Sequence, residues 1–165
     1  MTPSRRTREP KNPKSCHERA LGLLAVRPRS RRELEQRLLH AGFAADEVTE
    51  VLGRLEGVGL IDDDAFARQF TEHQELHRRA GRRAVTSGLL AKGIDPGTVE
   101  RVVSEMGDDG ERAESFARSR AGRLRGVDPG KAFTRLTSLL VRRGYDPGTA
   151  RRAARVALEV DAGDD

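Results

Sequence analysis

The chain has 165 residues, a formal charge of +5 and a pI near 10.1, and 35% of its residues are charged. It contains no apolar run close to the ~18 residues of a membrane-spanning helix and no apolar signal core after its basic N-terminus, so we expect a cytoplasmic protein without a membrane partner. A single cysteine excludes an internal disulfide, and the excess of positive charge favours a polyanionic or acidic partner.

Residues 1–16 are rich in proline and basic residues, and Cys16 is expected to belong to this polar leader. Such a composition cannot bury enough apolar surface to fold alone, so a disordered basic tail is predicted. An electrostatic arm that touches nucleic acid is the alternative. Beyond this leader, no segment alternates apolar and polar residues for long enough to form a strand, and the fold is therefore predicted to be all-α.

A segment that begins at Ser30 is repeated twice more at a fixed offset. Its glycines recur at Gly42, Gly93 and Gly144, which are 51 residues apart. Apolar positions superpose at the same offset: Leu34, Val85 and Leu136; Leu38, Leu89 and Leu140; Phe43, Ile94 and Tyr145; Val51, Val102 and Ala153. A period near 50 residues is typical of stacked arrays, so three tandem repeats are predicted.

Each repeat contains the signals of a helix–turn–helix pair. Ser30 and Glu33 form the pattern of a capping box, which starts the first helix of the pair in the first copy. Gly42 stands where a left-handed C-cap is expected. The next helix opens on Asp95-Pro96 in the second copy and on Asp146-Pro147 in the third, with aspartate as N-cap and proline as first helical residue. With a preceding helix, each copy becomes a three-helix repeat.

The domain boundaries follow from this period. The predicted three-helix repeats span 17–60, 61–107 and 108–160, after the basic tail 1–16 and before an acidic tail 161–165. The glycine- and aspartate-rich string 107–111 is interpreted as a break, followed by a helix over 112–125.

Three aspartates, Asp62, Asp63 and Asp64, cluster at the start of a predicted helix. Capping and a favourable interaction with the helix dipole account for them; a Mg²⁺ site and a partner contact are the alternatives. We expect Asp62 and Asp63, with Phe66, to hold the junction between the first two repeats.

The string from His73 to His77 superficially resembles a zinc-protease motif. That motif requires glutamate directly after the first histidine, whereas Glu75 comes one position late. The histidines are therefore interpreted as solvated. Because no nucleophile–base pair or metal cluster is evident, we expect no enzyme activity, no metal and no cofactor.

Positive charge is concentrated in places that recur with the helices. Between 131 and 155, seven cationic residues accompany a single carboxylate, whereas 44–64 contains seven acids and one arginine. The cationic strip proposed for partner or DNA contacts comprises Arg31, Arg32, Arg82, Arg83, Lys92, Arg142, Arg143, Arg151 and Arg152. The alternative is a solvated basic face. Since the phenylalanines have the spacing of core residues, base-specific recognition of single strands is not expected.

Three strings carry a resemblance to a known family: Arg29-Ser30-x-x-Glu33-Leu34-x-x-x-Leu38-x-x-x-Gly42, Leu55-x-x-x-Gly59-Leu60-Ile61-Asp62-Asp63-x-x-Phe66-Ala67 and Gly81-x-x-x-Val85-x-x-x-Leu89-x-x-Lys92-Gly93-Ile94. Over about residues 17–160 the chain resembles the regulatory protein RecX family. The resemblance implies three tandem three-helix repeats in an elongated, curved molecule.

The resemblance also implies a function in DNA repair, recombination and the SOS response. A member of the family binds the RecA recombinase in the groove of the RecA–DNA filament and suppresses its ATPase, strand-exchange and coprotease activities. Some members also bind single- or double-stranded DNA directly. We expect a monomer. Two other functions stay open at this point: an autonomous helix–turn–helix DNA-binding protein, and a helical scaffold with another protein partner.

Overall fold

The structure, a computed structural model, describes residues 14–162 and contains in that range nine α-helices, one short 3₁₀ helix and no strand. The all-α prediction is therefore confirmed. The chain divides into two compact units, of which the first ends at Asp62 and the second begins at Asp63. Most of the predicted basic tail (1–13) and the last residues of the acidic tail (163–165) lie outside the described residues. The exact bounds of the three repeats stay a prediction.

The first unit contains three helices, α1 (Cys16–Val26), α2 (Arg31–His40) and α3 (Ala45–Gly57). The hydroxyl of Ser30 accepts the N–H of Glu33 at 3.2 Å, so α2 begins as its sequence predicts. Gly42 has a φ of 95°, in the left-handed region that glycine adopts without strain. The apolar stripe of α2 packs with α1 and α3 in a small core, in which Leu34 and Leu38 are fully buried.

Cys16 is placed differently from the sequence prediction. It is the first residue of α1 rather than part of a polar leader, and its side chain is buried in the core of the first unit. The helix begins here because Ser15 and Glu18 form a reciprocal capping box, with N–H···O distances of 3.2 and 2.8 Å. Burial raises the pKa of the Cys16 thiol, and the nearby Glu47 carboxylate raises it further.

The second unit contains six helices and a 3₁₀ turn. They are α4 (Asp63–Arg78), α5 (Arg82–Ala91), α6 (Pro96–Ser104), α7 (Asp109–Ala121), the 3₁₀ helix Gly122–Leu124, α8 (Pro129–Arg142) and α9 (Pro147–Ala162). Two cores fill the unit, one among α4–α6 around Val85 and Leu89, the other among α7–α9 around Leu136 and Leu140. No helix in residues 14–162 is long and apolar enough to cross a membrane.

The predicted break at 107–111 is wrong in its second half. α7 begins at Asp109, because the carboxylate of Asp108 accepts the N–H of Glu111 at 2.9 Å and so caps the helix. The helix also ends at Ala121, four residues before the predicted end, and continues as the 3₁₀ turn.

The N-terminus of α5 is capped by residues from the other half of its unit. Its N-cap residue is Gly81, which has no side chain to cap with, whereas Ser30 occupies the matching position in the first copy. The N–H of Gly81 instead donates to the carbonyl of Arg143 at 2.8 Å, and the N–H of Arg83 donates to that of Gly144 at 3.1 Å. We call this contact between α5 and the α8–α9 turn the α5 joint.

Two side chains complete the α5 joint. A carboxylate oxygen of Asp109 accepts the N–H of Arg82 at 3.2 Å, so the third free N–H of the α5 N-terminus is also satisfied. The hydroxyl of the buried Tyr145 donates to the carbonyl of Arg79 at 2.8 Å. Burial raises the pKa of this phenol, which keeps it in the donating form.

A candidate anion-binding site

The residues of the predicted cationic strip fall into two groups, of which the first is exposed. Arg83, Arg142, Arg151 and Arg152 of the second unit, and Arg32 of the first, point their side chains to solvent. Of these, Arg152 makes a contact with the hydroxyl of Thr149 at 3.3 Å. These five arginines offer charge at the surface of their own units, and their role in binding stays a prediction.

The second group is held within the fold. Arg31 forms an ion pair with Glu56, at 2.7 Å between Nε and Oε1. The guanidinium of Arg82 donates to the carbonyl of Met106 at 2.7 Å and ties α5 to the loop before α7. Arg143 donates to the carbonyl of Arg78. Lys92 is half-buried at the C-cap of α5. The side chains of the three arginines stabilise local structure, which a sequence count of charges does not reveal.

A groove of about 490 Å³ opens between α7, its 3₁₀ extension and α8. Its charged lining consists of Arg120, Arg123, Arg135, Arg142 and Arg143. Its apolar lining consists of Phe116, Leu124, Leu136 and Leu139. We call this groove the arginine pocket. It brings Arg142 and Arg143 together with three arginines that the sequence analysis did not select.

Helical spacing places these residues on facing surfaces. Phe116, Arg120 and Arg123 are separated by four and three positions along α7 and its extension. Arg135 and Arg142 are seven positions apart on α8. Side chains at such intervals share one face of a helix, so two basic faces meet across the pocket. This spacing is present in the sequence and could have identified each of the two basic faces, although not that they meet.

The positive charge of the arginine pocket is not compensated. The guanidinium groups of Arg120 and Arg143 each lie 5.1 Å from the ring centroid of Phe116, a favourable cation–π distance. No carboxylate lines the pocket, and none of its five arginines forms an ion pair within residues 14–162. Elsewhere in the unit, some arginines are paired with carboxylates, as Arg101 is with Asp64. The pocket therefore concentrates unpaired positive charge on one surface of the unit.

The acidic cluster is arranged for structure. Asp64 pairs with Arg101 and lies 3.2 Å from Arg68, which links the start of α4 to α6. Phe66 is buried in the core of α4–α6. The junction role of Asp62 and Asp63 stays a prediction. No group of three or more metal-ligating side chains is found among the described residues.

The histidines of α4 lie together on its exposed surface. The rings of His73 and His77 are 4.7 Å apart between centroids, and both side chains are solvent-accessible. They are surface residues one helical turn apart, as predicted from their spacing.

Comparison with known proteins identifies the family. The family described as "RecX, first three-helix domain" matches residues 16–55, and "RecX, second three-helix domain" matches residues 62–103. Regulatory protein RecX of Streptomyces coelicolor is 38% identical over 148 residues, which cover 87% of this chain and 78% of that protein. The chain belongs to the RecX family. Regulatory protein RecX of Mycobacterium avium is 36% identical and covers 87% of the chain and 85% of the relative.

Solved structures share the RecX fold. The crystal structure of RecX from Lactobacillus salivarius superposes with a TM-score of 0.76 at 20% identity, over 88% of this chain and 95% of that one. A second crystal structure of regulatory protein RecX gives a TM-score of 0.75 at 19% identity. The predicted RecX resemblance and helical fold are thus confirmed. Since the relatives are named regulatory proteins, family membership also confirms that the chain is a regulator rather than an enzyme.

Proposed function

We propose that this RecX family member is a negative modulator of RecA. It binds the groove of the RecA–DNA filament through exposed arginines of its helices and lowers the ATPase, strand-exchange and coprotease activities. The observation that supports the proposal most strongly is the identity of 38% to regulatory protein RecX over 87% of the chain.

The repeated architecture suits a polymeric partner. Helical groups copied along one chain can each offer a weak basic contact to neighbouring subunits of a filament. Once one group is bound, the others meet their sites at a high effective concentration, so the sum of weak contacts favours the filament over free monomers. Acidic side chains of RecA and phosphates of DNA are both suitable partners for guanidinium groups.

The exposed group of arginines is better suited to this contact than the group held within the fold. Arg142 and Arg151 are exposed and form no ion pair within residues 14–162. Replacing them should leave the helices intact. The side chain of Arg143, by contrast, donates to the carbonyl of Arg78 and covers Phe116, so its replacement would disturb the fold as well as the surface.

The test is the ATPase activity of RecA on single-stranded DNA, with and without the purified protein. We expect inhibition by the wild type and weaker inhibition by Arg142→Glu/Arg151→Glu, with unchanged helicity by circular dichroism. Lys14→Glu/Arg19→Glu is the matched control, because it makes the same charge change at exposed positions outside the predicted strip. An ATPase rate that the wild type leaves unchanged, together with salt-dependent binding to bare DNA, would instead indicate autonomous DNA binding.

A further inference from the structure

The arginine pocket combines charge with an apolar floor, and this combination indicates its ligand. We propose that the pocket binds an acidic peptide segment of a protein partner, with one apolar side chain on the floor and carboxylates at the rim. The inference deepens the proposed function, because Arg142 belongs both to the exposed arginines proposed to contact RecA and to the arginine pocket. It rests on the proposed function for the identity of the partner. The peptide chemistry itself is argued from the pocket alone.

The charge of the pocket lining favours the binding of an anion. Five guanidinium groups line one groove without a carboxylate among the lining residues. Like charges that line one groove repel each other, and a bound anion offsets this repulsion. The Nε of Arg120 is also buried without a hydrogen-bond partner among the described residues. Guanidinium groups bind carboxylates through two parallel N–H···O bonds, so a carboxylate can satisfy several of these donors.

The floor of the pocket distinguishes a peptide from a nucleic acid. Single-stranded DNA is bound by stacking its bases on accessible aromatic rings. The ring of Phe116 is only 4% exposed and is covered by Arg120 and Arg143, so it offers no stacking surface. The accessible apolar surface comes from the half-buried side chains of Leu124 and Leu139. Such a surface suits an aliphatic side chain, which the backbone of a nucleic acid does not provide.

The size and spacing of the pocket suit a short extended segment. A volume of about 490 Å³ lies within the usual range for ligand sites. Arg135 and Arg142 are seven residues apart on α8, which at ~1.5 Å per residue corresponds to about 10 Å along the helix. In an extended peptide, residues three positions apart are also separated by about 10 Å. We therefore infer a ligand with carboxylates at positions i and i+3 and an apolar residue between them.

The test uses a fluorescent peptide, Gly-Asp-Glu-Leu-Gly-Glu-Asp-Gly, and a second peptide of equal charge in which glycine replaces leucine. Binding is measured by fluorescence anisotropy without RecA, near physiological ionic strength. We expect the leucine peptide to bind more tightly. Arg135→Ala/Arg142→Ala should weaken its binding by about 10-fold or more, because the double variant loses charge-assisted hydrogen bonds to the peptide carboxylates. Arg32→Ala/Arg151→Ala, with the same charge change outside the pocket, should bind like the wild type.

Three results would overturn the proposal. One is an equal loss of binding in both double variants, which would mean nonspecific attraction. Another is equal affinity for both peptides, which would remove the role of the floor. The third is tighter binding of a single-stranded oligonucleotide of about twelve nucleotides, lost in the pocket variant, which would make the pocket a phosphate site.

Two controls keep the test interpretable. Urea unfolding of both double variants, followed by circular dichroism, checks that they fold like the wild type. The RecA ATPase assay on the same proteins separates the two proposals. If the leucine peptide binds as expected while RecA is unaffected, the pocket proposal stands and the proposed function fails. If RecA is inhibited while neither peptide binds, the proposed function stands and the pocket proposal fails.

Discussion

The α5 joint makes a specific prediction for Gly81→Ala. A Cβ atom at Gly81 would lie 2.5 Å from the carbonyl carbon and oxygen of Gly144 and 2.6 Å from the backbone nitrogen of Tyr145. Ordinary contacts between such atoms are ~3.5–4.0 Å, so the added methyl group is about 1 Å too close. Because all three atoms belong to the backbone, no side-chain rotation can relieve the overlap. Either α5 or the α8–α9 turn has to move.

The magnitude follows from what that movement breaks. Two backbone hydrogen bonds cross the joint, at 2.8 and 3.1 Å, and each contributes about 0.5–1.5 kcal/mol. The φ of −79° at Gly81 suits alanine, so restricting the unfolded chain offsets about 0.4–1 kcal/mol of this loss. Overpacking of the remaining contacts costs about 1–3 kcal/mol. We expect a net destabilisation of about 2–4 kcal/mol.

Urea unfolding followed by circular dichroism measures this change. Gly53→Ala is the matched control: Gly53 lies inside α3, and a Cβ atom there meets nothing within 4 Å. Alanine at that position should raise the stability by about 0.5–1 kcal/mol. If Gly81→Ala is as stable as the wild type, α5 and the α8–α9 turn do not approach each other as closely as described, and the reasoning fails.

Three further predictions concern burial, capping and the single thiol. Leu38→Ala should lower the free energy of unfolding by about 2–5 kcal/mol, because Leu38 is fully buried, whereas the same change at the partly exposed Leu39 should have a much smaller effect; equal losses in urea unfolding would contradict the proposed core. Asp146→Ala should cost about 1 kcal/mol through loss of the α9 cap. Hydrogen bonding from Thr149 holds the pKa of the Asp146 carboxyl below its usual range, so its contribution is complete above pH ~4 and disappears as the pH falls through the folded-state pKa. Asp146→Asn should keep most of the cap but remove this acid dependence, which pH-dependent melting curves would show. Cys16 should react slowly with a thiol reagent at mildly alkaline pH and rapidly in urea, because its thiol is buried; rapid reaction without denaturant would mean that the first core is open.

The helical pairs could be predicted because their signals are local. Ser30, Gly42 and Asp95 each determine a helix end through their own side chain or backbone freedom, and the 51-residue period repeats these signals. The start of α1 was predicted one residue late, and Cys16 was assigned to the leader, because the capping box of Ser15 lies in a proline-rich, basic stretch. From composition alone, a cysteine in such a stretch is expected to be solvent-exposed. It is buried because it is the first residue of α1, which packs in the core of the first unit.

The site could be predicted only in part, because exposure depends on tertiary contacts. Arg82 and Arg142 look alike in the sequence, but Arg82 binds the carbonyl of Met106 while Arg142 stays exposed at the pocket. Arg120 and Arg135 were missed because they belong to different helices, and their proximity follows only from the packing of α7 beside α8. Local helical spacing identifies each basic face but not the face it meets.

The α5 joint limits where the chain can be truncated without loss of native structure. The second and third groups of helices look separable in a sequence alignment of the repeats, yet Arg143 and Gly144 supply the acceptors that finish α5. A truncated protein that stops after the 3₁₀ turn would leave two N–H groups of Gly81 and Arg83 without their partners. A shortened variant that is to retain native architecture should therefore keep 63–162 together as one piece.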